Sequence, residues 1–235
     1  VAIVRGDQNK TFYITAADNK KKVYSGKLSE PRKSLFSEKK MQVADFSEFD
    51  QPGKYIVVVP GAGYSWPFEI RSGVFAGVSR ASLKGFYFQR FSTALPEKYA
   101  GKWSRPFGQA HDSVIVHPSA ASEERPEGTI IPSPRGWIDA GDYNKYIVNS
   151  GITTGTLLSA YEDFPSYYQR LVLDIPESNN EIPDILDEAL WNVRWIVTMQ
   201  DPMDGGVYHK CTNAGFDGMA MPHEAATPRY VVQKS

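Results

Sequence analysis

Over residues 1 to about 72, short apolar runs alternate with clusters of turn formers. Strands are predicted at "VAIV", "TFYIT", "KVYSG", "KKMQVADFS", "KYIVVV" and "SWPFEI". Between them lie Gly6-Asp7-Gln8-Asn9, Asp18-Asn19, Gln51-Pro52-Gly53 and Gly61-Ala62-Gly63, residues that reverse a chain cheaply. Lys40 to Val43 alternates polar and apolar, as a half-buried antiparallel strand does. Strands at this spacing predict a β-sandwich of immunoglobulin type over 1–72. Because the first begins abruptly at Val1, an edge strand is expected to be missing.

After Gly73 the period lengthens. Val74, Val78, Ala81, Leu83, Phe86 and Phe88 recur at loosely helical intervals. Residues 93–136 hold Pro96, Pro106, Pro118, Pro126, Pro132 and Pro134 among polar residues, and so long an aperiodic stretch reads as a functional loop region. A helix then carries Tyr146, Ile147, Ile152, Leu157, Leu158 and Tyr161 and ends near Pro165. A stronger one places Ile182, Leu186, Ala189, Val193 and Val197 on an i, i+3/i+4 stripe, closed by Pro202. Pro183 lies near its first turn, and Asp184 and Asp187 face the positive end of its dipole. Helices separated by irregular loops, without hairpin signals, predict an all-α second domain over 73–235.

Composition narrows the classes. The 235 residues carry a net charge of −1, which argues against capture of nucleic acid or anionic lipid by charge. Aromatics make up 13%, enough for a rich core and equally suited to a cleft that stacks sugar rings. Cys211 is the single cysteine, so no internal disulfide forms and the redox compartment stays open. No apolar run approaches the roughly 18–20 residues of a membrane span. The start "VAIVRGDQNK" is neither a signal peptide nor led by Met, so a processed or trimmed chain is expected.

The segment "GWIDAGDYNKYIVNSG" sets Asp139 and Asp142 three apart ahead of a helix-like run. Two readings stand side by side. In one, Asp142 is the helix N-cap, Gly141 supplies an unusual backbone angle and Asp139 a turn hydrogen bond. In the other, Asp142 is a general base ionised by the helix end and kept basic by its like-charged neighbour, and the pair grips one water. Trp137 would then line the cleft.

The same segment resembles the catalytic stretch of glycoside hydrolase family nine, the inverting cellulases with an (α/α)6 barrel. The Asp-Ala-Gly-Asp-Tyr pattern falls at Asp139 to Tyr143, Lys-Tyr at Lys145-Tyr146 and Asn-Ser-Gly-Ile at Asn149 to Ile152. "IPDILDEALWNVRWIVTMQDP" is similar to the family's helix ending in Met-Gln, and "GGVYHK" resembles its Val-x-His-Lys segment. "KKMQVADFSEFDQPGKYIVVV" looks like the immunoglobulin-like module that precedes the barrel in one subgroup.

The resemblance implies an N-terminal immunoglobulin-like β-sandwich followed by the first part of the barrel, with Asp142 as general base and Asp139 holding the attacking water. It places His209, Trp137 and Tyr143 against substrate, a β-glucan polysaccharide or oligosaccharide. An endo-β-1,4-glucanase is the leading expectation. An exo-acting β-glucosidase or glucosaminidase and a non-catalytic carbohydrate-binding protein are the alternatives. A secreted or cell-surface, bacterial-type protein follows, with no nucleic acid or membrane span among its partners. The family's acid is a late glutamate, and none of Glu177, Glu181, Glu188 and Glu224 stands in its motif. The general acid is therefore expected beyond this chain, and the remaining C-terminal part of the barrel is its expected partner.

No cofactor is required for such chemistry. Some members of the subgroup hold zinc through two Cys and two His ahead of the aspartates. Here that region has His111 and His117 but no Cys, so no zinc site is expected. Nor does His209-x-Cys211 supply a tetrahedral ligand set. Structural calcium fits the complete enzyme, with its ligands outside this chain.

Overall fold

The computed structural model describes residues 1–107, 113–215, 218, 220–225 and 227–234. The chain divides into two compact units, Val1–Gly77 and Val78–Ser235.

The first unit is a sandwich of short strands. β1 (Ala2–Arg5), β2 (Thr11–Ala16), β3 (Lys22–Lys27), β4 (Arg32–Lys33), β5 (Lys40–Ala44), β6 (Gly53–Val59), β7 (Gly63–Tyr64) and β8 (Phe68–Ile70) follow in chain order. One sheet runs β1-β5-β4, and the other runs β3-β2-β6-β7 with β8 beside β6. Alternation along the strands sends Val4 and Ala44 from the first sheet against Phe12, Ile14, Tyr55, Val57 and Val59 from the second, all in one core. Phe49 meets Tyr55 edge-on at 5.0 Å, a pairing that adds about 0.5–1.5 kcal/mol beyond simple burial. Buried Gln42 donates its Nε2 to the carbonyls of Asn9 and Ser29, at 2.8 and 3.0 Å.

Helix α1 (Ala76–Gln89) starts in the last two residues of the first unit and runs on into the second, which also contains α2 (Glu97–Ala100), α3 (Ile147–Asp163), α4 (Pro165–Tyr168) and α5 (Asp184–Thr198). Beside the helices lies a five-stranded sheet absent from the sequence reading. Its strands are β9 (Ser113–Val116), β10 (Ile130–Pro132), β11 (Lys145–Tyr146), β12 (Tyr208–Asn213) and β13 (Arg229–Lys234), in the order β10-β9-β13-β12-β11. The stretch read as loop thus supplies β9 and β10. Each is too short to show a period, and β9 gains its second neighbour only when Ile115 meets Tyr230.

Helix packing differs from the predicted stripes in one respect. On α5 the buried residues are Ile185, Glu188, Ala189, Asn192 and Trp195, with Asp184 and Asp187, whereas Val197 is 64% exposed. On α3 they are Ser150, Thr154 and Leu157, whereas Ile152 is 69% exposed. The inward faces are rotated from those read by hydrophobicity because they carry polar side chains that are paired to one another. Asn192 Nδ2 donates to Thr154 Oγ1 (3.0 Å), and Ser150 Oγ to Asn192 Oδ1 (3.5 Å). The acidic start of α5 also has a second task. Asp184 accepts the Leu173 amide and the Ser178 hydroxyl at 2.6 Å each, tying down the preceding loop.

Candidate active site

Asp139 and Asp142 sit on a tight loop between a short extended segment and β11. The Asp139 amide donates to the Asn144 carbonyl (2.9 Å) and the Tyr143 amide to that of Ala140 (3.0 Å). The residue in the left-handed region is Tyr143, at φ 53°; Gly141, expected to supply the unusual angle, does not adopt one. The N-cap reading of Asp142 is also corrected. Helix α3 starts at Ile147 and its N-cap position is Tyr146, without a side-chain capping bond. The two residues of β11 intervene, so no helix dipole acts directly on Asp142.

Side chains hold Asp142 instead. Its Oδ2 accepts from the Tyr146 hydroxyl (2.8 Å) and Asn144 Nδ2 (3.1 Å), and its Oδ1 from the Asn144 amide (3.2 Å). Asn144 is itself locked to Asn213 on β12, donating to its Oδ1 (3.1 Å) and accepting its amide (3.2 Å). Arg229 Nη2 donates to the Asp142 carbonyl (3.2 Å). Asp139 is exposed and takes one side-chain donor, Asn149 Nδ2 from the first turn of α3, at 2.9 Å. Asp139 lines an open hollow with Tyr146, Asn149, Thr153, Gln89 and the edge of Trp137. Burial, then the bond to Asp142, raises the Tyr146 phenol above its usual range, so Tyr146 remains a donor.

The remaining expected residues lie as follows. Trp137 is only 5% exposed; its ring packs on Phe86 at 4.8 Å and its Nε1 donates to Glu188 (3.4 Å). Tyr143 is buried, stacks on Phe91 and donates its hydroxyl to the Ala220 carbonyl; it does not line the hollow. His209 is exposed on β12, one residue from Lys210, the register partner of Tyr146. Its imidazole makes no hydrogen bond among the described residues. The structure therefore brings Asp139 and Trp137 to one hollow; Asp142 is linked to it through Tyr146, which lines the hollow and donates to Asp142, and His209 is not among its lining residues. His117 accepts from the Ser119 amide (3.2 Å), and His111 lies outside the described residues. Cys211 is fully buried. No group of three His, Cys, Asp or Glu among the described residues could hold a metal ion.

The profile of glycosyl hydrolase family 9 matches residues 75–235. The chain belongs to this family. The profile of the cellulase N-terminal ig-like domain matches residues 1–64, so the β-sandwich is that module and the helical unit is the start of the family 9 domain. Among similar proteins, the xyloglucan-specific endo-beta-1,4-glucanase of Bacteroides ovatus is 47% identical over all of this chain and 40% of its own length. Endoglucanase D of Acetivibrio thermocellus is 35% identical over 94% of this chain and 35% of its own. A solved Bacteroides ovatus family 9 structure superposes with a TM-score of 0.89 at 47% identity, covering 99% of this chain and 42% of that one. The chain thus spans about 40% of the first of these relatives.

Some residues that build this candidate site carry little local signal. Asn149 meets Asp139 ten residues away and is foreshadowed by its motif, whereas Asn144 and Arg229 act through partners far along the chain, Asn213 and Asp142 respectively. The Arg90–Glu188 pair beneath Trp137 is likewise invisible until the helices pack. No helix among the described residues is long and apolar enough to cross a membrane.

Proposed function

We propose that the complete protein of which this chain is a part is an inverting endo-β-1,4-glucanase acting on β-glucan. The observation that supports this most is the asymmetric holding of the two aspartates. Three donors orient Asp142, whereas Asp139 takes one side-chain donor and borders open space. Such a pair suits a water bound between carboxylates, with Asp142 accepting its proton and Asp139 aligning it. The activated water attacks the anomeric carbon opposite the leaving group, and a separate acid roughly 6.5–9.5 Å from the base protonates the departing oxygen. Glu188 does not suit that second role, since it is buried and engaged by Arg90 and Trp137.

Xyloglucan is the first substrate to test, by analogy with the Bacteroides ovatus relative, followed by mixed-linkage glucan and cellulose. In the complete protein, Asp142→Asn is expected to lower kcat by about 10³-fold or more, since general-base assistance alone supplies about 10²–10⁴. Circular dichroism should remain unchanged. Proton NMR of the first-formed reducing ends should show the inverted anomer. Near-normal turnover by Asp142→Asn, or retention of configuration, would overturn the proposal.

A further inference from the structure

Beneath the aspartate loop lies a buried charged cluster that the proposed chemistry does not use. Arg90, directly after α1, is 2% exposed, and Glu188 on α5 is 1% exposed. They pair at 3.0 Å, and Arg90 also reaches Glu177 through both terminal nitrogens at 3.0 Å. Arg90 lies over the Trp191 ring at 4.4 Å. An ion pair in so dry a place adds little net stability. Its contacts point to another task.

Glu188 Oε2 accepts from Trp137 Nε1 (3.4 Å) as well as from Arg90 Nε (3.2 Å). The backbone of Trp137 forms an antiparallel bridge with Arg90 itself. On either side the Phe91 amide donates to Gly136 (3.2 Å) and the Ile138 amide to Gln89 (3.0 Å). One carboxylate therefore joins the end of α1, the middle of α5 and the three residues from which Asp139 projects. We propose that Glu188 is a positioning residue: through Trp137 and Arg90 it fixes the Gly136–Ile138 segment, and with it the placement of Asp139 at the hollow.

The inference rests on the reading of the aspartates as the hydrolytic pair, and its test separates the two. In the complete enzyme, Glu188→Gln keeps the side-chain volume and an acceptor oxygen but removes the charge that grips Arg90. Trp137→Phe keeps the ring and removes the indole donor. Each is expected to lower kcat about 10–100-fold with KM within about twofold, since small misplacements of reacting groups cost that much. The double variant should lose no more than the worse single one, because both act through one contact. Glu188→Gln with unchanged kcat, or fully additive losses, would overturn the positioning role. If Glu188→Gln fails to fold, Trp137→Phe alone decides: a loss in KM instead of kcat, or no loss, refutes it. A wild-type enzyme inert toward every β-glucan would instead refute the hydrolytic reading.

Discussion

Asp142 shows how much the setting of a candidate catalytic carboxylate is made by its neighbours. The Tyr146 hydroxyl and the Asn144 amide groups fix its oxygens, and among the described residues Asn149 is the side chain that restrains Asp139. Tyr146→Phe and Asn149→Ala are each expected to reduce kcat about tenfold or more while shifting the melting temperature by only a few degrees, readable from steady-state kinetics and thermal melts. Gly136 presents a different constraint. It lies at φ 80°, and an added Cβ would approach Trp195 Cγ to 2.7 Å. Gly136→Ala combines backbone strain with overpacking and should destabilise by about 2–4 kcal/mol in urea titrations. At this scale the sequence made the aspartates legible through their motif. The left-handed residue was not, because Gly141 is the natural candidate and Tyr143 adopts the angle under the hold of Phe91 and Ala220.

Elements were legible in proportion to their independence from distant partners. The strand pattern of the first unit was readable, because each strand alternates on its own and turn residues punctuate it. Helices α3 and α5 were readable in extent but not in orientation. Hydrophobicity selects the face with Ile182 and Val197, whereas packing buries Glu188 and Asn192. Burying an amide is tolerable only when it is satisfied, and Asn192 meets this through Thr154, Ser150 and the Trp137 amide (3.3 Å). Asn192→Ala leaves the Trp137 amide and the Thr154 hydroxyl short of a partner and should cost about 1–3 kcal/mol in chemical denaturation. An unchanged midpoint would show that water replaces the amide without penalty. The small sheet was illegible, since β11 is two residues long and acquires meaning only when Lys145 and Tyr146 find Cys211 and Lys210.

Across the whole molecule, buried charge gives a direction to the response to pH. Burial opposes ionisation of Asp201, but Lys234, the Met203 amide, Tyr208 and Arg125 outweigh it and hold its pKa below the usual carboxylate range. Its contribution to stability is complete above the unfolded value of about 3.9 and is lost as pH falls through the lower folded value. Burial pushes Glu188 the other way, to about 7 despite Arg90, so stability declines as pH rises from about 4 toward 7. These two groups place the maximum for the helical unit in weak acid. Thermal melts between pH 3 and 8 should show it, with Asp201→Asn removing the acid-side loss and Glu188→Gln flattening the neutral-side slope. Lys145 offers a last consequence. Its ammonium is wholly enclosed, held by the carbonyls of Ser133 and Arg135 at 2.8 and 2.9 Å. Acylating or methylating reagents that decorate surface amines will therefore pass it over until β11 parts from its neighbour. A tag appearing at that one nitrogen would time the opening of the scaffold just behind the aspartates.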